Sequence, residues 1–442
     1  MSEDPYAEYR RIRMLWPDHF GLARGKYLPS SLAAKGSAFC VTTFGLTYDR
    51  DIIPAEGGYL LEGLKDVHGT PVASTLRPSW EDPTIGVCVS DLTLDHKPYD
   101  VSARSTLQRA LDDWAELGHS VKLGIELEGY LLEPNGEGGW QKYNNPRSMV
   151  YGTGSLGDPS GFMTAVLDAA DVSGFNVESA NVEFDESQFE FTLRYDDAMA
   201  MADDSFMFRT MVREVALGMG LDFTFLGKPF PTVSGSGLHY NFSLVGPDGE
   251  LALADDSTDT GASALAMQCL AGLVQHHNAL AAICAPTINA FRRLQPGTLS
   301  GCWANWGVDH RNVTSRLPAD GGSAMRIEHR LSDGAVNVHL GATAVLQAAR
   351  LGVANALETP PQYTGDGFED GGEGVGRCAT TLTGALNDLE ADAAFVEAVG
   401  ANIVSNFVTH KRNEVEVFEA SGAQVDGDEL SDWEIIRYLP YH

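Results

Sequence analysis

Glu126-x-Glu128, Glu183, Glu190, His239 and Glu328 follow one another through the middle of the chain, in short segments that read as β-strands. Five carboxylates and one imidazole suit a pair of hard divalent cations such as Mg²⁺ or Mn²⁺. The last carboxylate stands among arginines, in Arg326-Ile-Glu328-His-Arg330. Cations flanked by arginines are what a site handling the phosphates of ATP needs, because both neutralise phosphate charge.

Alternation along a strand decides which of these side chains can meet. Residues i and i+2 point to one face. Glu126 and Glu128 therefore project together, with Leu127 opposite. Two adjacent carboxylates in an apolar strand repel and take up protons unless cations sit between them; a solvated outer face is the alternative. Gln188 and Glu190 share a face by the same rule, but Glu183 is seven residues from Glu190 and falls on the other one. A turn near Asp185–Ser187 must reconcile them, which makes the segment hairpin-like. His239 shares a face with Asn241 and Ser243 and follows Ser234-Gly-Ser-Gly237, whose glycines let a ligand approach the backbone. Arg326, Glu328 and Arg330 alternate likewise. Together these strands describe a sheet with one polar, cation-bearing face.

Composition narrows the partners. The formal net charge is −31 over 442 residues, which argues against a nucleic-acid partner. Only eight of the 30 cationic residues are lysine, and an acid excess with few lysines fits a salty cytoplasm or a high-GC genome. From Ala290 to Arg330 the balance reverses: six arginines (292, 293, 311, 316, 326, 330) face three acids. A cationic stretch in so acidic a chain points to a pocket for an anionic substrate, with structural ion pairs as the alternative. No run of about 18 apolar residues predicts a membrane span. The first residues have no apolar core of a signal peptide, and the six scattered cysteines form no C-x-x-C pair. A cytoplasmic protein with buried reduced thiols is expected.

The elements that must position these residues follow from periodicity. A short amphipathic helix is predicted over Pro5–Leu15, then short strands and turns to about Lys97. Leu107, Ala110, Leu111 and Trp114 predict a helix over Ser105–Leu117. Further helices are predicted over 161–173, 196–219, 262–283, 341–357, 379–399 and 402–419. The Gly-rich, acidic stretch 360–377 reads as a surface loop.

The order of motifs resembles the glutamine synthetase family over about Asp18–Trp433. The family's G-x-E-x-E strand matches Gly124–Glu128, and its H-E-V-A-P-G-Q-x-E segment matches the run through Glu183, Gln188 and Glu190. Its K-P and G-S-G-x-H-x-H/N-x-S match Lys228-Pro229 and Gly235–Ser243. Its P-T-x-N-S-Y-K-R-L matches Pro286–Leu294, its W-G-x-x-N-R-x4-R matches Trp306–Arg316, and its R-I-E-x-R matches Arg326–Arg330.

The resemblance implies an α+β fold, with an N-terminal β-grasp domain over residues 1–100 and a catalytic domain over 101–442. In the latter an antiparallel sheet forms a bifunnel surrounded by helices. It implies a homo-oligomer, a dodecamer of two hexameric rings with sites shared between neighbours. It implies ATP as a substrate and two or more Mg²⁺ or Mn²⁺ ions. One ion falls to Glu128, Glu183 and Glu190, the other to Glu126, His239 and Glu328. By the same likeness Arg293 and Arg330 hold glutamate and its reacting carboxylate, and Gly235 lies beside it. Arg311 and Arg316 stabilise the moving phosphoryl group, and Asn241, Ser243 and Arg326 face ATP. The implied reaction phosphorylates the γ-carboxylate of glutamate and couples it to an amine.

Two departures bear on that amine. Ammonia-using members carry a flap glutamate six residues after the substrate arginine; here the run Arg293-Leu-Gln-Pro-Gly-Thr-Leu299 ends in leucine. The F-D-G-S-S ammonium-pocket motif is missing around Phe44–Asp49. Arg326-Ile-Glu-His-Arg330 and the spacing of the segment through Glu183 and Glu190 resemble the γ-glutamylamine ligases, so an amine larger or less charged than ammonium is expected, with Leu299 able to line an apolar pocket for it. An ordinary glutamine synthetase and a non-catalytic relative of the same fold are the alternatives. Ser234 also departs, standing where many members have Asn, and the segment before Arg326 lacks basic residues often found at the nucleotide site.

Overall fold

The computed structural model describes residues 4–55, 58–423 and 430–442. Two sheets organise it, with helices packed on the second. The first sheet has seven strands, and its main path runs Ala23–Pro29, Arg11–Pro17, Ile85–Leu94, Asp66–Pro71, Ser37–Cys40. The helix expected over Pro5–Leu15 is absent; turns lead into the strand Arg11–Pro17, which pairs parallel to Ile85–Leu94. The reason lies on both sides of that strand. Met14 and Trp16 enter one apolar cluster with Phe39 and Phe44, while Leu15 enters the main core. Only an extended chain sends neighbouring residues into two opposed cores, and tertiary burial overrides helical spacing.

The second sheet has nine strands, and its path runs Val177–Val182, Gln188–Asp197, Ser120–Pro134, Leu238–Val245, Ile327–His329, Ser315–Leu317, Trp306–Val308. Pairing is antiparallel except between Trp306–Val308 and Ser315–Leu317, which run parallel. Register sets the chemistry: Glu190 lies opposite Glu128, Glu126 opposite His239, and Glu328 opposite both Asn241 and Arg316. The alternate residues Ile125, Leu127, Phe191, Tyr240 and Phe242 are fully buried on the other face. Helices Phe162–Ser173 and Ala198–Gly218 cover that apolar side, with Phe162 stacked on Phe223 at 5.1 Å and Phe191 edge-on to Phe208 at 5.7 Å. Aromatic pairs of this kind add to the burial that holds a sheet on its helices.

The other helices form where periodicity places them, with two breaks. The 262–283 stretch divides into Ala264–Gln275 and His277–Cys284, and 379–399 into Leu382–Ala391 and Ala393–Val399. His276 and Asp392 are the two break residues, and they hydrogen-bond to each other at 2.6 Å. Helix Val338–Ala354 is buried along most of its length. Its N-cap Asn337 accepts from the Leu340 N–H and donates to the Asp18 carbonyl at 2.9 Å, tying the second sheet's helical layer to the first sheet. The 360–377 loop carries no helix or strand beyond a single bridge from Arg377 to Trp303. All six cysteines are free thiols, and all but Cys40 are buried. Among the described residues no helix is long and apolar enough to cross a membrane.

Candidate active site

The polar face of the second sheet brings Glu126, His239 and Glu328 into one cluster and sets Glu190 opposite Glu128, while among the described residues Glu128, Glu183 and Glu190 do not form a second such cluster. His239 Nδ1 lies 2.7 Å from Glu126 and 3.7 Å from Glu328, and its Nε2 lies 3.8 Å from Glu128. Glu128 also accepts the Gly237 N–H at 2.7 Å. Glu183 sits one residue beyond its strand, in the turn before Gln188, and not within a strand as its sequence suggested. Ser187 takes a positive φ of 61° there, and the Glu183 N–H bonds the Gln188 carbonyl at 2.8 Å. This closes the hairpin that the Glu183–Glu190 spacing requires.

Charge is unevenly offset across the cluster. Burial, then the negative charges of Glu126, Glu128 and Glu183, push the Glu190 carboxyl up to about 9. Burial and then Glu128 raise Glu183 as well. Glu328 goes the other way: burial works against its charge, but Arg330, His239 and Arg316 outweigh it and hold it down at about 2. Cations suit this arrangement on two counts. Ligand atoms of Glu126, His239 and Glu328 all lie within 4.8 Å of one another. Around Glu190, buried negative charge exceeds its cationic neighbours, so a proton stays where a divalent cation would be favoured.

The arginines divide into three groups. Arg316 bonds Glu328 at 2.8 Å and Asp309 at 2.6 Å, and Arg330 bonds the other oxygen of Glu328. Arg293 is buried and donates to the carbonyls of Leu331 at 2.9 Å and Arg330 at 3.2 Å. Arg311 stands apart, exposed in the turn after Trp306–Val308, with no ion pair among the described residues. Gly235 presses on the stem of Arg293: a Cβ there would meet Arg293 Cγ at 2.6 Å and the Gly227 carbonyl at 2.9 Å. Gly235→Ala is expected to displace Arg293 at a cost of about 1–3 kcal/mol. If Arg293 holds the acid substrate, the KM for that substrate should rise roughly tenfold to a hundredfold with the folded far-UV spectrum retained, which steady-state kinetics and circular dichroism check together.

A cavity of about 710 Å³ opens beside the cluster, lined by Glu126, Tyr195, Asn241, Ser243, Met325 and Arg326 among others. Asn241 donates to Glu126 at 3.0 Å and accepts from Arg326 at 3.3 Å, and Ser243 donates to the Met325 carbonyl. The volume suits a nucleotide-sized ligand.

Leu299 lies on the loop after Arg293 with 47% of its surface exposed. Two residues on, Gly301 packs against the Arg330 backbone, 3.2 Å from its carbonyl carbon as measured from an added Cβ. The Phe44–Asp49 segment faces elsewhere within this chain. Phe44 is fully buried against Trp16, Tyr48 bonds His442 at 2.6 Å, and Asp49 pairs with Arg437 at 2.7 Å. Sequence reasoning missed Asp309, the second partner of Arg316, and Asp185, whose carboxylate caps the Ser234 N–H. Asp309 lies seven residues before Arg316, and its positive φ of 47° leaves no trace in residue type. Asp185, two residues past Glu183, carried a weak signal.

Comparison with known proteins agrees with this geometry. Residues 100–431 match the model of the glutamine synthetase catalytic domain. A glutamine synthetase of Pyrococcus horikoshii is 28% identical over 97% of this chain and 95% of its own length. A glutamine synthetase of Halobacterium salinarum is 29% identical over 76% of this chain and 73% of its own. Among solved structures, apo GmaS without ligand superposes with a TM-score of 0.83 at 25% identity, covering 98% of this chain and 97% of that one. A GmaS/ADP complex superposes with a TM-score of 0.84 at 24% identity, over the full length of both chains, and shares the fold. The chain belongs to the glutamine synthetase family and is a carbon–nitrogen ligase.

Proposed function

We propose that this ligase phosphorylates the γ-carboxylate of glutamate with ATP and transfers the γ-glutamyl group to an amine larger than ammonia. In the first step a γ-carboxylate oxygen attacks the terminal phosphorus of ATP and ADP leaves. In the second the neutral amine nitrogen attacks the acyl carbon, the C–O bond to phosphate breaks, and the nitrogen's proton passes to the departing phosphate, giving an amide and hydrogen phosphate. The first step is needed because a carboxylate is a poor acyl donor while phosphate leaves readily.

The residues divide the work by position. Arg293 and Arg330 hold the amino acid, with Gly235 beside it. Arg316, and Arg311 from its exposed turn, offset charge on the moving phosphoryl group. Asn241, Ser243 and Arg326 face the nucleotide from the 710 Å³ cavity. Glu128, Glu183 and Glu190 would hold one divalent cation and Glu126, His239 and Glu328 another, supplying charge neutralisation on phosphate oxygens when bound. In the assembled enzyme we expect a cytoplasmic ring oligomer of twelve subunits; sedimentation velocity tests the subunit number.

Leu299 carries the choice of amine. Its loop leans on Arg330, where ammonia-using members present a glutamate that takes a proton from ammonium. A leucine takes no proton, and it offers apolar surface to an alkyl or aryl amine. The likeness to GmaS, a γ-glutamylmethylamide synthetase, supports the same reading. Relatives named glutamine synthetase make ammonia the competing acceptor. Phosphate release with glutamate, ATP and a panel of amines decides between them. An alkyl, aryl or polyamine should give the highest kcat/KM; ammonia as the best acceptor refutes the proposal.

A further inference from the structure

Glu434 meets donors on both carboxylate oxygens, yet it lies outside the sheet that carries the site. It is fully buried in helix Asp432–Tyr438. Its Oε2 accepts the Ser431 N–H at 3.0 Å and the Ser431 hydroxyl at 2.8 Å, as the capping glutamate of its own helix. The same oxygen accepts Arg292 Nη2 at 3.1 Å. Oε1 accepts Arg292 Nε at 3.3 Å and lies 3.5 Å from the Asn289 amide nitrogen. Arg292 is buried as well. A helix cap works with an exposed carboxylate; burying an acid and a guanidinium together has a desolvation cost that their attraction often fails to offset. Stability is thus a poor reason for this pair, and the geometry it constrains is a better one.

Two segments that meet at Arg293 are held in this way. Asn289 is the N-cap of the single helical turn Ala290–Arg293, so Arg292 and Asn289 together fix the turn whose last residue is Arg293. Tyr438, from the same helix as Glu434, accepts the Ile288 N–H at 3.3 Å and grips the turn a second time. Asn289 passes the constraint on. Its Oδ1 accepts the Lys228 N–H and its Nδ2 donates to the Lys228 carbonyl, both at 2.8 Å. Lys228 in turn donates to the Val233 carbonyl, and the Ser236 N–H bonds the Gly227 carbonyl at 2.8 Å. The 227–236 loop is closed by these bonds, and it sets Gly235 against the stem of Arg293. The guanidinium of Arg293 is held at its tip by the Leu331 and Arg330 carbonyls. Its backbone and stem depend on the turn and the loop, and both lead back to Glu434.

We propose that Glu434 is a positioning residue: through Arg292 and Asn289 it sets where Arg293 stands for the amino-acid substrate. This rests on the reading that Arg293 holds L-glutamate. The groups around the carboxylate are donors, so the amide of Glu434→Gln turns its NH₂ toward one of them. That variant should raise the KM for L-glutamate about tenfold, with kcat and the KM for ATP within about twofold of the original, the pattern of lost binding and not of lost chemistry. Arg292→Met combined with Glu434→Leu removes both charges. It should recover much of the urea midpoint that the single change loses, while the KM for L-glutamate stays high. It also takes the place of the single variant should that one not fold. A folded variant, single or double, whose KM for L-glutamate is unchanged overturns the assignment. Equal rises in the KM for L-glutamate and for ATP show a general loosening and overturn it too. Arg293→Ala separates this inference from the reading beneath it. If that change leaves the KM for L-glutamate unaltered, the reading of Arg293 fails and Glu434 loses its role with it. If it raises that KM and Glu434→Gln does not, the assignment of Glu434 alone fails.

Discussion

Glu328→Ala should abolish ATP-dependent ligation, by at least about 10³-fold in kcat/KM, equivalent to roughly 4 kcal/mol. Glu328 is 2% exposed and lies at the meeting point of three functional groups. It receives Arg316 on one oxygen and Arg330 on the other, and stands 3.7 Å from His239. Its removal takes one of the three ligand atoms that would hold a cation. It also frees two guanidiniums that it helps to position, that of the buried Arg330 and that of the part-buried Arg316. Loss of either alone is costly; together they dismantle the charge balance on which the proposed phosphoryl transfer would depend. Glu328→Gln should lose nearly as much, because the side chain's shape is kept but its charge is gone. Phosphate release with glutamate, ATP and the best amine measures both, and turnover near that of the unmodified enzyme in either variant contradicts the metal and phosphate assignment.

The same residues show why part of this site was readable from sequence. Glu126-x-Glu128 and His239-x-Asn241 are local patterns, and strand alternation converts them directly into a shared face. The Glu183–Glu190 spacing even demanded the turn that Ser187 makes. Contacts between residues distant in sequence were not legible. Asp185 meets Ser234 across 49 residues, and Arg293 is held by backbone carbonyls, which carry no sequence identity. Arg11–Pro17 was misread for a related reason: apolar residues at Met14, Leu15 and Trp16 fit a helix until two separate cores claim them. Around Phe44–Asp49 the missing motif was visible, but the use made of those residues was not. Phe44 went into the core and Asp49 to Arg437, which takes that acid out of contention as a free proton acceptor within its own chain.

Asp203→Ala should be the most destabilising of the changes that leave the site's own side chains untouched, by about 3–5 kcal/mol. Asp203 is 1% exposed in helix Ala198–Gly218. It accepts Arg104 of helix Ala103–Glu116 on both oxygens, at 2.9 Å each, and His339 of helix Val338–Ala354 at 2.9 Å. Arg104 also reaches Asp91 of the first sheet, so one carboxylate ties together three helices and, through Arg104, the other sheet. Alanine leaves two buried cationic or polar side chains without their shared acceptor. Burial alone would raise the Asp203 carboxyl, but the hydrogen bonds and charges of His339 and Arg104 outweigh it and hold it below its ordinary value. A depressed carboxyl contributes stability above its unfolded pKa of about 3.9 and loses it as pH falls through the folded value. The urea midpoint of Asp203→Ala should therefore lie well below that of the unmodified protein at neutral pH, with the gap closing as pH falls below about 4. A gap that stays constant from neutral to acid pH would show that packing, not the charge of Asp203, holds these helices together.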